Sequence, residues 1–377
     1  MGGTTAIRQL ASPGRLTWTL ARPADDAAIR RLLRENPMGG SIQLTFEREP
    51  DYFQGAGLAG AEDQTVLVSF GDRLAAVGRC IRRPCWMDGE IRSVGYLSEL
   101  RLDASARGRF EILRAGYRFF QQTQRDAPAD FYFTSIASDN TRARRVLESG
   151  VRGLPRYEFL GELITLLIPV PRGARASAFR TVAATADRLP ELLEMLNQQA
   201  RRCQLAAVWT EPMLRALAHH GLPLESFRLV FDGDRIVACG ALWDQRSFRQ
   251  TVVRRYARPL ALVRPFLNFA AFFFGTPRLP PAGTSLAQAF LSPLALAEGC
   301  EDLLPEMLPS FFPVAAGLAL EFVTLALPSG DPRLPRLQRR YRPRLWPCRL
   351  YRVLWDGLSS APLTKAQAAF LPDLGLL

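Results

Sequence analysis

The chain has 377 residues, 48% of them apolar and 22% charged, and a formal net charge of +12. That length exceeds one ordinary core and suits two domains, and the apolar-to-charged balance is that of a soluble globular protein. Arginine supplies nearly all the basic charge, Lys365 being the only lysine. Such a balance suits polyanionic ligands, whether a nucleotide cofactor, nucleic acid or an acidic membrane surface, but no basic block of five or more singles out nucleic acid.

In chain order, Leu16, Trp18 and Leu20 alternate as in a strand, and Asp25 and Asp26 open an amphipathic helix with Ala28, Ile29, Leu32 and Leu33 on one face. Thr65–Phe70 and Leu74–Ile81 form a hairpin about the Gly71-Asp72 turn, and Ile91–Leu102 is a further strand. Helical spacing of Phe110, Leu113, Tyr117 and Phe120 predicts a helix over Ala106–Gln122. Phe131–Ala137 reads as a strand, Asn140–Ser149 as a short helix capped by Asn140, with Ser138 and Asp139 as other caps, and Tyr157–Ile168 as a closing strand. Pro169–Ala178 is the expected linker.

The second half repeats this order. Phe179–Ala184 is a strand, Leu189–Cys203 a helix, Arg228–Phe231 with Arg235–Leu242 a hairpin, and Leu286–Leu296 a strand. Glu301–Phe312 is a helix, Leu320–Leu327 a strand, Pro332–Tyr341 a basic helix, and Leu350–Trp355 the strand that closes the copy. The segment from Glu99 to Phe120 lies beside Ser292 to Phe312, and Asp130 to Gly150 beside Glu321 to Tyr341, matching in pattern rather than identity. The expected fold is α/β: two tandem domains, residues 1–172 and 173–357, each a mixed central sheet flanked by helices, followed by a tail over 358–377.

Six scattered cysteines and only two histidines, His219 and His220, argue against a structural zinc and against a Ser-His or Cys-His nucleophile pair. No metal is expected. Cysteine usage fits a reduced cytoplasm, and Met1–Leu20 has no continuous apolar core such as a signal peptide carries. The most apolar run, Pro259–Gly275, is interrupted by Arg264 and Pro265, leaving about ten apolar residues where a span needs about twenty. A buried or interface-covering helix is expected there.

RPADDAAIRRLL after an opening strand, LRLDASARGRFEILRAG in the middle and SDNTRARRVLESG near the end make the first half resemble the GNAT family of acyl-CoA-dependent N-acyltransferases over most of residues 15–168. The second half resembles a worn copy of the same fold. The resemblance implies an acyltransferase, N-acetyltransferase above all, that uses acetyl-CoA or another acyl-CoA and an amine acceptor whose identity and whose oligomeric setting are open. It also implies that the strand residues Leu100, Arg101 and Leu102 and the turn Arg107-Gly108-Arg109-Phe110-Glu111-Ile112 hold the cofactor, with pyrophosphate at a helix N-terminus. Phe110 and Ile112 occupy two positions where the family pattern has small residues, so close backbone approach is altered there. Asn140 is implied to face the cofactor arm. The second-half turn, Glu298-Gly299-Cys300-Glu301, is acidic and is expected not to bind CoA.

Glu99, on the strand before the turn, matches the family's carboxylate base. In an apolar strand desolvation would raise its pKa into the useful range, and the alternative is a pairing with one of the arginines. The family's usual tyrosine acid would fall at Leu147 and is missing; Tyr157 or Tyr96 are the substitutes, and a packing tyrosine is the other reading. A non-catalytic GNAT-fold module that binds acyl-CoA or another protein is the competing class, and anionic-surface association through the basic second half a third.

Overall fold

The computed structural model describes residues 16–58, 61–171, 173, 179–273, 278–358, 362–364 and 368–377. Most of the expected linker, residues 172 and 174–178, lies outside them. The first half runs β1 (Leu16–Leu20), α1 (Asp26–Glu35), β2 (Ile42–Glu47), β3 (Glu62–Phe70), β4 (Arg73–Met87), β5 (Glu90–Leu102), α2 (Phe110–Thr123), β6 (Phe131–Ala137), α3 (Thr141–Glu148) and β7 (Arg156–Pro169). The order expected from the residues stands, with β2 added. α2 begins later than its periodicity suggests, because Gly108 at φ +86° turns the chain just before it. Asn140 caps α3 through Oδ1, which accepts the Ala143 amide at 3.2 Å.

The second half runs β8 (Val182–Ala183), α4 (Leu189–Arg201), β9 (Ala206–Ala207), α5 (Glu211–Ala218), β10 (Phe227–Asp232), β11 (Arg235–Trp243), β12 (Gln250–Tyr256), α6 (Arg258–Phe273), β13 (Thr284–Ser285), β14 (Gln288–Leu296), α7 (Leu304–Met307), α8 (Phe312–Gly317), β15 (Phe322–Pro328), α9 (Leu334–Tyr341) and β16 (Arg344–Leu354). Here α5, β12 and α6 lengthen the pattern. The single helix expected over Glu301–Phe312 is broken into α7, a 3-10 turn and α8, since Pro305, Pro309 and Pro313 each remove an amide donor from it.

One large sheet joins both halves in the order β1-β3-β4-β5-β6-β16-β7-β15-β14-β11-β10-β8. The expectation that the final strand closes the second copy is overturned by this order. β16 lies between β6 and β7 of the first half, and β7 lies between β16 and β15 of the second, all antiparallel. Each half therefore surrenders its last strand to the other. Side chains fix the exchange: Val353 and Trp355 pack with Val66, Phe120 and Tyr132 of the first half, while Leu166 and Ile168 join Val323, Leu325 and Met307 of the second. β2 pairs with β12, in a small sheet completed by β13, and Arg254 bridges from there to Glu47.

Within each half the only parallel pairing among the described strands is short. β5 and β6 pair from Val94↔Phe131 to Leu97↔Thr134, and β14 and β15 from Gln288↔Phe322 to Phe290↔Thr324. Beyond those residues the strands part.

Candidate active site in the first half

The gap begins where Thr134 Oγ1 donates to the Leu97 carbonyl at 2.7 Å, ending the β5–β6 ladder. Just past it β5 bulges. Arg79 faces Ser98 and Val77 faces Arg101, so Glu99 and Leu100 together oppose Gly78. Glu99 takes a left-handed φ of +54°, rare for a residue with a side chain. The bulge aims Glu99 into a chamber of about 320 Å³, lined from the first half by Leu100, Arg101, Ile112, Tyr117, Asn140 and Tyr157 and from the second by Arg249, Phe290 and Trp346. Leu374 and Leu377 of the terminal segment close part of the wall.

Glu99 is enclosed by donors. Arg48 gives it Nε at 2.8 Å and Nη2 at 2.5 Å, Arg79 gives Nη1 at 3.4 Å, and Tyr52 Oη donates to Oε2 at 2.8 Å. The expected upward shift in its pKa is therefore corrected. Burial pushes it up, but the charges of Arg48 and Arg79, with the hydrogen bonds from Arg48 and Tyr52, outweigh burial and hold it at about 2. Arg79 is shared with Asp63, which keeps it charged inside the sheet. Residue-level reasoning missed Arg48, Tyr52 and Arg79, although a cationic residue at Arg79 amid the buried run of β4 was a visible signal.

Two further arginines line the chamber without a carboxylate within 4 Å among the described residues. Arg101 donates to the Leu100 carbonyl at 2.9 Å, and Arg249 to Gln245 Oε1 at 3.3 Å. Burial and then repulsion from Arg48 lower the Arg249 pKa to about 10, so the chamber carries surplus positive charge.

Tyr157, on β7, shares a hydrogen bond with Tyr117 Oη at 2.5 Å across from α2. Burial pushes Tyr117 up to about 12 and Tyr157 well above its ordinary value, so both phenols stay protonated. Tyr96, the other candidate, meets Ser135 Oγ at 2.7 Å at the start of the gap.

At the turn after β5 the backbone and the side chains part company. Arg107 reaches away to Asn36 Oδ1 at 3.0 Å, and Arg109 pairs with Glu111 and lies over the Phe70 ring. Phe110 opens α2 with its ring 37% exposed, not in the core, whereas Ile112 is buried against Val68, Ala76 and Ala106. The amides of Gly108 and Phe110 have no protein partner among the described residues, leaving two donors at the start of a 14-residue helix. Leu102 is held to Ala76 along one edge of β5 while its other edge faces the gap.

A sheet whose central parallel pair splays beside a bulge, with a helix N-terminus at the end of the gap, occurs twice in one chain. Saccharomyces cerevisiae N-myristoyltransferase with bound myristoyl-CoA superimposes with a TM-score of 0.60 over 93% of this chain and 85% of its own, at 11% identity. A GCN5-related N-acetyltransferase from Sphaerobacter thermophilus does so with a TM-score of 0.55 over 93% of this chain and 100% of its own, at 16% identity. The chain has the GNAT fold, in tandem. No protein-family model matches the sequence, and neither does any curated protein. At these identities the likeness is one of fold. Of the residues expected around the cofactor, Leu100, Arg101, Ile112 and Asn140 line the chamber beside Glu99, while Leu102 and the turn from Arg107 to Glu111 do not.

Proposed function

We propose that the chain is an acyl-CoA-dependent N-acyltransferase, an N-acetyltransferase in the simplest case, with its cofactor in the first-half gap. The observation that carries this reading is the bulge at Glu99 beside the splayed β5–β6 pair, opening into the chamber, with the unpartnered amides of Gly108 and Phe110 at the start of the helix that follows. It supplies a slot for a pantetheine arm and an anion site for pyrophosphate. That both named structural relatives are N-acyltransferases supports the class, and the bound myristoyl-CoA of one supports a CoA thioester as donor.

In this reading the amine nitrogen attacks the thioester carbonyl, the C–S bond breaks, and the CoA thiolate takes a proton. Tyr157, protonated and paired with Tyr117, is the assigned donor, and the proton that the nitrogen sheds as the amide forms restores the phenol. The ammonium must first lose a proton, and Glu99 is a weak base while Arg48 and Arg79 hold it. An incoming ammonium competes with Arg48 for Oε1, and proton transfer passes through that exchange. The same locked carboxylate favours the second reading, a GNAT-fold module that binds acyl-CoA without turning it over.

Calorimetry with acetyl-CoA and a longer acyl-CoA, paired with a thiol-release assay over a panel of amines, separates the two. Binding with turnover supports the enzyme, binding alone supports the module, and no binding at high micromolar cofactor removes both.

A further inference from the structure

Helix α6 presents Leu262, Phe266, Phe269 and Phe273 at 76%, 76%, 68% and 67% exposure. Their spacing of four, three and four residues makes one stripe along the helix, widened by the half-exposed Val263 and Leu267. The outward orientation is fixed from the opposite face. Leu260 packs with Leu44, Val253 and Tyr256, Ala271 is buried, and Asn268 both accepts the Leu279 amide at 2.7 Å and donates to its carbonyl at 2.9 Å. Scattered exposed leucines are ordinary, but a contiguous stripe of this size marks an interaction surface.

Charge says what covers it. From Gln245 to Ala297 the sequence has no Asp or Glu but seven arginines. Arg246 pairs with Asp244 and Arg254 with Glu47, and Arg249 lines the chamber. Arg258 at the start of the helix and Arg255 and Arg278 on the segments flanking it are exposed, and Arg264 lies over the Tyr256 ring. An isologous pairing through this helix and its flanking segments would set these cations against themselves, with no carboxylate of those segments to offset them. An anionic bilayer complements both features at once, apolar side chains entering the acyl boundary and arginines meeting headgroups. The helix does not cross: 16 residues rise about 24 Å, short of the roughly 30 Å hydrocarbon core, and Arg264 and Pro265 sit at its centre.

We propose that α6 is an in-plane membrane-docking helix that seats the protein on an anionic lipid surface. Leu260 shares its cluster with Met38, Leu286 and Trp346, which also line the chamber, so docking brings the chamber toward the bilayer. The docking stands independently of whether the chamber is catalytic.

Vesicle co-sedimentation of the full chain tests it, with phosphatidylcholine alone against phosphatidylcholine carrying about one third phosphatidylglycerol, at low and high salt. The wild type is expected to pellet with the anionic vesicles, less so at high salt, and the Phe266→Glu/Phe269→Glu variant to lose at least about ten-fold in partitioning. Both positions are exposed, so the variant is expected to keep the wild-type circular dichroism. A Phe266→Trp variant gives a second readout, an added emission that shifts to the blue with anionic vesicles. Failure of the wild type to pellet, together with an unshifted emission from the Phe266→Trp variant, would overturn the proposal. So would a dimer in sedimentation velocity that dissolves in the double variant while vesicle binding is unchanged.

Discussion

In the first half the bulge sets Glu99 and Leu100 opposite Gly78; in the second it sets Ser292 and Pro293 opposite Ala241. Glu99 gathers Arg48, Arg79 and Tyr52 around an open chamber of about 320 Å³. Ser292 instead bonds Asp373 of the terminal segment, and Leu371, Pro372 and Leu374 line what remains of that gap, about 70 Å³. The helix after the first bulge starts with free amides and runs 14 residues; its counterpart starts with Glu301 and Asp302 and is broken by prolines. One fold thus holds two outcomes. A gap stays open where an arginine-held carboxylate on the bulge and a continuous helix frame it, and is filled by the terminal segment where neither is present.

The largest test of that contrast removes the bulge side chains in turn. Glu99→Ala leaves the Arg48 and Arg79 guanidiniums facing each other in a buried site, and should cost about 3–5 kcal/mol. Ser292→Ala removes one hydrogen bond to Asp373 and should cost about 1–2 kcal/mol. Urea denaturation followed by circular dichroism compares them, and equal losses would mean that the two bulges are held alike. Gly375 tests the plug itself. A Cβ there would lie 2.5 Å from Ser292 Oγ and 2.8 Å from the Trp243 ring, so Gly375→Ala should cost about 1–3 kcal/mol through overpacking.

Next in size is cofactor affinity. Calorimetry should give one acyl-CoA per chain, weakened about ten-fold by Phe110→Asp, which sets a carboxylate where the pyrophosphate would lie. Glu301→Gln should leave it unchanged. Two sites per chain would erase the asymmetry.

Much of this contrast was legible in the residues. The pattern match that sets Glu99 beside Ser292 is the match the two bulges make, and the acidic turn at Glu298–Glu301 was plain. Strand and helix periodicities located most elements because each buries one face. The exchange of β7 and β16 was not legible, since alternation along a strand says which side is buried but not which sheet receives it. That Glu99 pairs with arginine was one of its two readings and is what the structure holds, but which arginine leads was hidden for a related reason. Its partner Arg48 is 51 residues away in a loop, so nothing local to the strand announced it. Phe110, which stands where the family pattern has a small residue, is exposed because it sits at the first turn of α2, before the helix meets the sheet.

Acid should separate the halves further, because the two buried carboxylates shift in opposite directions. Glu99, at about 2 against an ordinary 4.5, contributes stability that is complete above 4.5 and is lost as pH falls toward 2. Asp373 is raised above 3.8 by burial, against the hydrogen bonds from Ser292 and the Gly375 amide. Its ionised form therefore costs stability, a cost absent below 3.8 and complete once pH exceeds the folded value. Asp373→Asn keeps the Ser292 contact and removes the charge, so it should stabilise by about 1 kcal/mol near neutral pH and change little near about pH 3. Glu99→Gln should destabilise near neutral pH and by less at about pH 3, where the wild type has begun to lose the same contribution. Denaturation midpoints of both variants at the two pH values give the signs directly. Should Asp373→Asn destabilise at neutral pH, the nearby Arg83 guanidinium, which donates to the Leu376 carbonyl at 3.0 Å, holds Asp373 ionised as Arg48 holds Glu99. The plug would then be an ion-paired site of the same kind as the first, and the asymmetry would lie only in which chain segment fills it.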